Sequence, residues 1–185
     1  MQIIDTKLKG CFEIQPAIHK DLRGEFVKTF HLPTFSKAGV SEGFPEEYYS
    51  VSKKHVIRGL HFQLPPDDHK KLVNVISGTV MDVVVDLRVG SPTYQQHMIT
   101  ELSDFKRNAL LIPSGMAHGF CVLSDSATMI YRTSTVHSPK NDSGILWNSI
   151  GIDWPTLTPI VSERDLLLPK MNNFISPFGY KQEEL

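Results

Sequence analysis

Short segments in which apolar and polar residues alternate follow one another along most of this chain, with turn residues between them. CFEIQ over 11–15 and YYSVSKK over 48–54 are two of these segments, and KLVNVIS over 71–77 is a further predicted strand. A period of two is typical of strands with one buried face, and short strands at regular spacing are typical of antiparallel sandwiches and barrels. The run Val83-Val84-Val85 predicts a strand that is buried on both faces. The pattern therefore predicts an all-β fold.

Two segments depart from the strand pattern. Residues 32–38 are compatible with a short helix before Gly39, and residues 162–168 begin with Ser162, a favoured N-cap residue, and end at Pro169. The chain of 185 residues has near-average apolar and charged contents and shows no repeat or linker. We predict a single domain over residues 1–185 with short peripheral helices.

Charge and cysteine content limit the classes of function. The net charge is −1, which argues against binding of nucleic acid or of a membrane surface through a broad basic face. The N-terminus lacks the pattern of a signal peptide, and no apolar run approaches the roughly 20 residues that span a bilayer. Cys11 and Cys121 lie far apart, each beside apolar residues, so we expect buried free thiols in a reducing, cytoplasmic compartment.

The segment from Val56 to Gln63 is the strongest candidate for a functional strand. Arg58 and His61 are three residues apart, so on a regular strand they would point to opposite faces. Gly59 between them permits a bulge that would bring both to one face. The pair would then combine an anion-binding cation with a proton-transfer group. The alternative is an exposed arginine and a structural histidine.

Three histidines raise the possibility of a metal site. The segment from Pro113 to His118 resembles the second sequence motif of the cupin superfamily, small β-barrels that often hold a metal. His61, His69 and His118 are the candidate ligands, but the closely spaced histidines and the glutamate of the first cupin motif are missing before Gly78. We predict no metal, and keep a metal-dependent cupin enzyme as an alternative.

A histidine held by a carboxylate is a second possible centre. A buried aspartate fixes the imidazole tautomer and stabilises the imidazolium, which makes His61 a candidate general base. Asp82, Asp86 and Asp165 are its possible partners, although each also has an ordinary structural explanation. Lys71 begins an otherwise apolar strand, where an ammonium could stabilise an oxyanion or simply end the strand.

Several segments resemble one family over nearly the whole chain, the dTDP-4-dehydrorhamnose 3,5-epimerases of nucleotide-sugar biosynthesis. They are DLRGEF over 21–26, RGLHFQ over 58–63, GTVMDVVVDLRVGSPTY over 78–94, IPSGMAHGF over 112–120, Tyr131, and IDWP with SERD between 152 and 165. The resemblance implies a cupin-like antiparallel jelly roll without a metal. It also implies a homodimer in which each N-terminal segment contributes to the site of its partner.

The resemblance assigns roles by position. His61 corresponds to the base and Asp165 to its partner, Tyr131 to the acid on the opposite face of the sugar, and Lys71 to the residue beside the enolate. Among the binding residues, Arg23 and Arg58 correspond to diphosphate ligands, Phe26 to a contact of the base, and His118 to a neighbour of the sugar.

Some positions that contact nucleotide or sugar in the family differ here. Lys28 replaces a usual Glu, Glu46 a usual Gln, Tyr48 a usual Asn and His137 a usual Tyr, while Ser50 begins the usual Ser-x-Ser. Hydrogen-bonding groups at such positions select the base. The nucleotide, whether dTDP, CDP or GDP, therefore stays open, and the change at His137 leads us to expect preferential inversion at C3.

The implied reaction is epimerisation at C3, C5 or both of a nucleotide-diphospho-4-keto-6-deoxy sugar, in deoxysugar and polysaccharide biosynthesis. A C4 ketone acidifies the hydrogens on C3 and C5, because deprotonation gives an enolate on the C4 oxygen. This chemistry needs no redox cofactor, and the sequence has no Gly-rich phosphate loop. Besides the metal-dependent alternative, a non-catalytic sugar-binding cupin remains possible.

Overall fold

The structure, a computed structural model, describes residues 1–40 and 43–181. The strands in these residues are β1 (Gln2–Asp5), β2 (Phe12–Gln15), β3 (Ala17–Asp21), β4 (Gly24–Lys28), β5 (Glu46–Lys53), β6 (Ile57–Gln63), β7 (Lys71–Ser77), β8 (Thr79–Asp86), β9 (His97–Ser103), β10 (Ala109–Ile112), β11 (Met116–Val122), β12 (Ser126–Thr133) and β13 (Asp142–Gly144). The helices are α1 (Leu32–Phe35), continued by a 3-10 turn at Ser36–Ala38, and α2 (Glu163–Leu166). A further 3-10 turn covers Met171–Asn173.

The strands form two facing sheets and a separate hairpin. A six-stranded sheet has the order β1-β2-β10-β7-β12-β5, and a five-stranded sheet the order β13-β6-β11-β8-β9. The neighbouring strands in both sheets are antiparallel, and β3 pairs with β4 in a two-stranded sheet. This arrangement confirms the predicted all-β, cupin-like antiparallel jelly roll with short peripheral helices.

Three apolar clusters explain which strand faces are buried. The central cluster lies between the sheets and includes Val80, Val84 and Phe120. A second cluster, including Val83 and Val85, lies on the opposite face of the five-stranded sheet, where C-terminal residues such as Phe178 cover it. The third covers the outer face of the six-stranded sheet around Phe35. Residues 83–85 therefore face two apolar layers, as predicted.

The sequence pattern missed three strands and misplaced the end of another. β1, β3 and β13 contain few buried residues, so they lack the apolar alternation that identifies a strand. The segment EFVKTFH over 25–31 also predicts a strand, but the strand ends at Lys28, because Phe30 turns to pack against Phe35 and Phe44. The expected helix near the C-terminus is present.

The two cysteine side chains lie in the interior of the protein. Cys11 and Cys121 are both buried and free, as expected, and burial raises the pKa of Cys11 to about 12 and that of Cys121 to about 11. Among the helices in the described parts of the chain, none has the length and apolar character needed to cross a membrane.

Candidate functional site

A cavity of about 470 Å³ lies between the two sheets. It collects the following predicted site residues: Glu46, Tyr48, Ser50, Arg58, His61, Lys71, His118, Tyr131 and His137. The predicted residue Asp165 lies behind His61 and contacts it directly. Arg23, Phe26 and Lys28 lie elsewhere, on the β3–β4 hairpin. One chain thus brings together ten of the thirteen predicted site residues.

Strand alternation explains why these side chains meet. Glu46, Tyr48 and Ser50 are two residues apart on β5, so all three point to the same face of the sheet. Tyr131 on β12 lies directly opposite Tyr48, and Lys71 on β7 pairs with Thr133 of β12. These residues line the cavity from the six-stranded sheet. The five-stranded sheet supplies the facing wall.

A bulge at Gly59 brings Arg58 and His61 to the same cavity, as the sequence predicted. His61 pairs with His118 and Arg58 with Phe120, so three steps on β6 match two on β11. Gly59 has a φ of 129°, and a Cβ there would lie 2.6 Å from the Cα of Gly119. Glycine is therefore required at this position by both conformation and space. Without the bulge the two side chains would point in opposite directions.

His61 and Asp165 form a tight pair at the cavity wall. The distance from His61 Nε2 to Asp165 Oδ1 is 2.7 Å, and Gly59 N–H donates to Asp165 Oδ2 at 3.2 Å. Ser162 caps α2 by accepting from the Asp165 N–H at 3.1 Å, which fixes the position of the aspartate. Of the three candidate partners of His61, Asp165 is the one in contact.

Hydrogen bonding keeps the Asp165 carboxylate charged. Burial alone would raise the pKa of Asp165, but the hydrogen bond and charge of His61, the Gly59 N–H and the charge of Arg164 together lower that pKa below its ordinary value. An ionised carboxylate only accepts hydrogen bonds, so His61 Nε2 carries the hydrogen. In the neutral ring, Nδ1 is then left as the atom that can accept a proton.

Lys71 is a buried cation beside this pair. Its ammonium donates to the main-chain oxygen of His61 at 3.2 Å, and the residue is 8% exposed. Burial lowers the pKa of Lys71 to about 8, with Asp142 and Asp82 opposing this effect and Arg164 adding to it. An ammonium with little hydration interacts strongly with a developing negative charge.

Tyr131 lines the cavity from the six-stranded sheet, which faces the sheet that carries His61. Its ring belongs to the central apolar cluster, while its hydroxyl lies 3.2 Å from Ser50 Oγ. Burial raises the pKa of Tyr131 well above its ordinary value, with Ser50 opposing this effect. The phenol therefore stays protonated at neutral pH and can act as a proton donor.

A second histidine–aspartate pair lies deeper between the sheets. His118 Nε2 is 2.8 Å from Asp82 Oδ2, and both side chains are almost completely buried. Burial raises the pKa of Asp82, while His118 and Lys71 oppose the rise. The other possible partner of His61, Asp86, instead binds the Arg88 guanidinium through both oxygens.

The histidines considered as metal ligands are held by different partners. His69 Nδ1 is 3.1 Å from Gln63 Nε2, and burial, aided by Lys71 and His137 and opposed by Asp142, lowers the pKa of His69 to about 3. Over residues 1–40 and 43–181, no group of three or more His, Cys, Asp or Glu side chains is arranged to hold a metal ion. The geometry gives the metal-dependent alternative no support.

Three polar or charged residues that line the cavity were not singled out from the sequence: Gln63, Asp142 and Arg164. Gln63 follows His61 by two positions on β6, so strand alternation could have identified it. Arg164 adjoins Asp165, and its guanidinium lies 2.9 Å from Asp142. Asp142 follows a loop without a clear pattern, and nothing in the sequence pointed to it.

The β3–β4 hairpin carries the remaining predicted residues away from the cavity of its own chain. Arg23 is paired with Asp21, and Phe26 is 61% exposed. Glu25 of the hairpin binds Arg107, which joins the hairpin to the sandwich. An exposed aromatic and a cation on a projecting hairpin are available to another surface.

The fold is that of a cupin-like jelly roll, and its similarity to known proteins identifies the class as an epimerase, an isomerase. A family model described as dTDP-4-dehydrorhamnose 3,5-epimerase matches residues 5–173. A dTDP-4-dehydrorhamnose 3,5-epimerase of Shigella flexneri is 40% identical over 169 residues, covering 90% of this chain and 93% of that protein. A dTDP-4-dehydrorhamnose 3-epimerase of Streptomyces niveus is 40% identical over 168 residues, covering 89% and 81%.

Solved structures agree with the sequence comparison. A dTDP-6-deoxy-D-glucose-3,5-epimerase of Legionella pneumophila, solved with dTDP-4-keto-L-rhamnose, superposes with a TM-score of 0.92 at 33% identity. The superposition covers 98% of this chain and 99% of that one. The chain belongs to the dTDP-4-dehydrorhamnose 3,5-epimerase family.

Proposed function

We propose that this protein epimerises a dTDP-4-keto-6-deoxy sugar at C3, C5 or both, through an enolate on the C4 oxygen, and that C3 is inverted preferentially. The observation that carries the proposal is the placement of a base and an acid on facing sheets. His61 lines the cavity from β6 and Tyr131 from β12. A flat enolate lying between the sheets meets one group on each face, which is what inversion requires.

The side chains described above supply the steps of this reaction. His61 Nδ1 removes the proton from carbon while Asp165, on Nε2, stabilises the imidazolium that forms. The Lys71 ammonium stabilises the negative charge on the C4 oxygen. Tyr131 then donates its phenolic proton to the opposite face of the same carbon, and solvent restores both groups. Every step uses a group of the protein, so the proposal includes no metal or redox cofactor.

Substrate binding uses the cations and polar groups around this centre. Arg58 donates to Ser52 Oγ at 2.9 Å, which leaves the rest of its guanidinium for a diphosphate. His118 would contact the sugar. Glu46, Ser50 and His137 would complete the binding site, since they line the same cavity.

We also propose a homodimer in which the hairpin completes the partner's site. Arg23 would bind the diphosphate, Phe26 would pack against the base, and Lys28 would face the nucleotide. Their exposure in the single chain supports this arrangement. The buried free thiols and the nucleotide-sugar substrate suit the cytoplasm.

Incubation in deuterated water tests the reaction. Wild-type protein with 4-keto-6-deoxy sugars on dTDP, CDP and GDP should incorporate deuterium at C3, at C5 or at both, fastest with dTDP and faster at C3. NMR identifies the carbon and its configuration. Binding without exchange would leave a sugar-binding protein and defeat the proposal, whereas exchange only with CDP or GDP sugars would overturn the choice of nucleotide.

Mixed dimers test the shared site. Arg23→Ala and His61→Ala should each be inactive, and subunit exchange between them should restore up to about a quarter of wild-type activity, because half of the dimers are mixed and each has one intact site. The Arg23→Ala protein taken alone through the same subunit-exchange procedure serves as the control. Proven heterodimers without recovery would show that each site is built from one chain.

A further inference from the structure

The ring of Tyr48 lies flat against the ring of Tyr131. The two residues are directly opposite each other on the antiparallel strands β5 and β12. Their ring centroids are 4.8 Å apart, with an angle of 14° between the planes. Stacked rings at this spacing attract each other beyond the burial of their area. The contact lies inside the cavity, since both residues line it.

Two other contacts complete the surroundings of the Tyr131 ring. Its hydroxyl lies 3.2 Å from Ser50 Oγ, two residues after Tyr48 on the same face of β5. The His118 ring approaches Tyr131 edge-on, at 6.2 Å and 72°. The stack with Tyr48 covers one face of the ring, so it limits the tilt by which the phenol could leave its position.

We propose that Tyr48 is a positioning residue that holds Tyr131 in the orientation needed to protonate the enolate. The inference rests on the proposed function and deepens it, because it assigns Tyr48 to the protonation step rather than to binding of the nucleotide or sugar. The ring of Tyr48, and not its hydroxyl, is the effective group. Deprotonation by His61 takes place at the facing sheet and does not depend on the stack.

A positioning role of Tyr48 predicts a specific change in the kinetics. If Tyr131 is misplaced, His61 still forms the enolate, but the enolate more often regains a hydrogen from solvent on the face that lost it. The number of inversions per exchange event should therefore fall while exchange itself continues. Misplacement of a catalytic group by about 1 Å costs up to about a hundredfold. A role in binding alone would change KM and leave this ratio unchanged.

The test compares Tyr48→Phe, which keeps the ring, with Tyr48→Asn, which removes it. Each variant is incubated with a dTDP-4-keto-6-deoxy sugar in deuterated water, and NMR measures both exchange and inversion. Tyr48→Phe should keep the wild-type ratio, and Tyr48→Asn should lower it about ten- to a hundredfold. Tyr49→Asn is the matched control, because Tyr49 is the next residue on β5 and is 70% exposed; oligomeric state is measured for all variants.

Three kinetic results would overturn the inference: a wild-type ratio in Tyr48→Asn, an equal loss in Tyr48→Phe, or an equal loss in a dimeric Tyr49→Asn. A wild type that exchanges no deuterium would defeat the proposed function instead. Crystal structures then decide the positioning separately. The Tyr131 ring should stay in place in Tyr48→Phe and move away from Ser50 in Tyr48→Asn, and an unmoved ring in Tyr48→Asn would contradict the inference.

Discussion

The two histidine–aspartate pairs of this protein have hydrogen bonds of nearly equal length and differ in their surroundings. The hydrogen bonds measure 2.7 Å for His61–Asp165 and 2.8 Å for His118–Asp82, and the two histidines are partners in the β6–β11 register. The His61 side chain is 26% exposed, whereas that of His118 is 3% exposed. A base must return its proton to solvent after each turnover. The difference in exposure supports the proposal that the outer pair transfers the proton, while the inner pair is better suited to a fixed binding role.

The largest expected difference comes from replacing the histidines. His61→Asn should lower deuterium exchange by at least about 10²- to 10⁴-fold, since it removes the group that starts the reaction. His118→Asn should mainly raise KM and keep the exchange kcat within about tenfold. NMR exchange rates at saturating substrate provide the measurement, and circular dichroism confirms folding. Equal losses of exchange kcat in the two folded variants would contradict the different roles proposed for His61 and His118.

Replacing the aspartates should give a smaller difference. Asp165→Asn should lower kcat by about a hundredfold, because the amide neither stabilises the imidazolium nor selects the Nε2–H tautomer. Asp82→Asn keeps the shape and one hydrogen-bond acceptor, so its kcat should stay within about tenfold of wild type. Steady-state kinetics of both variants check this. A larger loss in Asp82→Asn than in Asp165→Asn would reverse the assignment of the pairs.

Lys71, which contacts the main chain of His61, should set the alkaline limit of activity. Burial lowers the pKa of Lys71 to about 8, so the ammonium is present below this pH and is lost as the pH rises through it. The value of kcat/KM should therefore fall about tenfold per pH unit above pH 8. Lys71→Arg keeps its charge at this pH. The fall in kcat/KM above pH 8 should therefore disappear in this variant, although its overall activity should be lower. An alkaline limb near pH 8 that persists in Lys71→Arg would belong to another group.

The smallest expected effect concerns stability at the inner pair. Asp82→Ala leaves His118 Nε2 buried without its partner, which should lower the free energy of unfolding by about 1–3 kcal/mol. Asp82→Asn retains an acceptor and should cost less. Urea denaturation of the two variants measures the difference. Equal stability of both would mean that the buried hydrogen bond contributes little.

The sequence predicted the part of this site that follows from strand alternation. His61, Lys71 and Tyr131 lie on segments that the sequence predicted to be strands. Gly59 indicated the bulge that brings Arg58 and His61 to one face. The family resemblance then distinguished Asp165 from Asp82 and Asp86, which local pattern alone could not do, because the pairing is made across about a hundred residues.

Other features depended on contacts that a sequence pattern does not contain. The stack of Tyr48 on Tyr131 requires the exact register of β5 against β12. Asp142 reaches the cavity from the short strand β13, which has no buried face to reveal it. β1 and β3 were missed for the same reason. Long-range register and exposed strands are thus the limits of prediction here.

Tyr131→Phe in deuterated water tests most directly the central claim that base and acid act from facing sheets. NMR follows the deuterium at C3 and C5 and the configuration of both carbons. The variant should still exchange hydrogen through His61, but should invert the exchanged carbon at least about 10²-fold more slowly than wild type. Inversion at the wild-type rate by a folded Tyr131→Phe protein would contradict that claim.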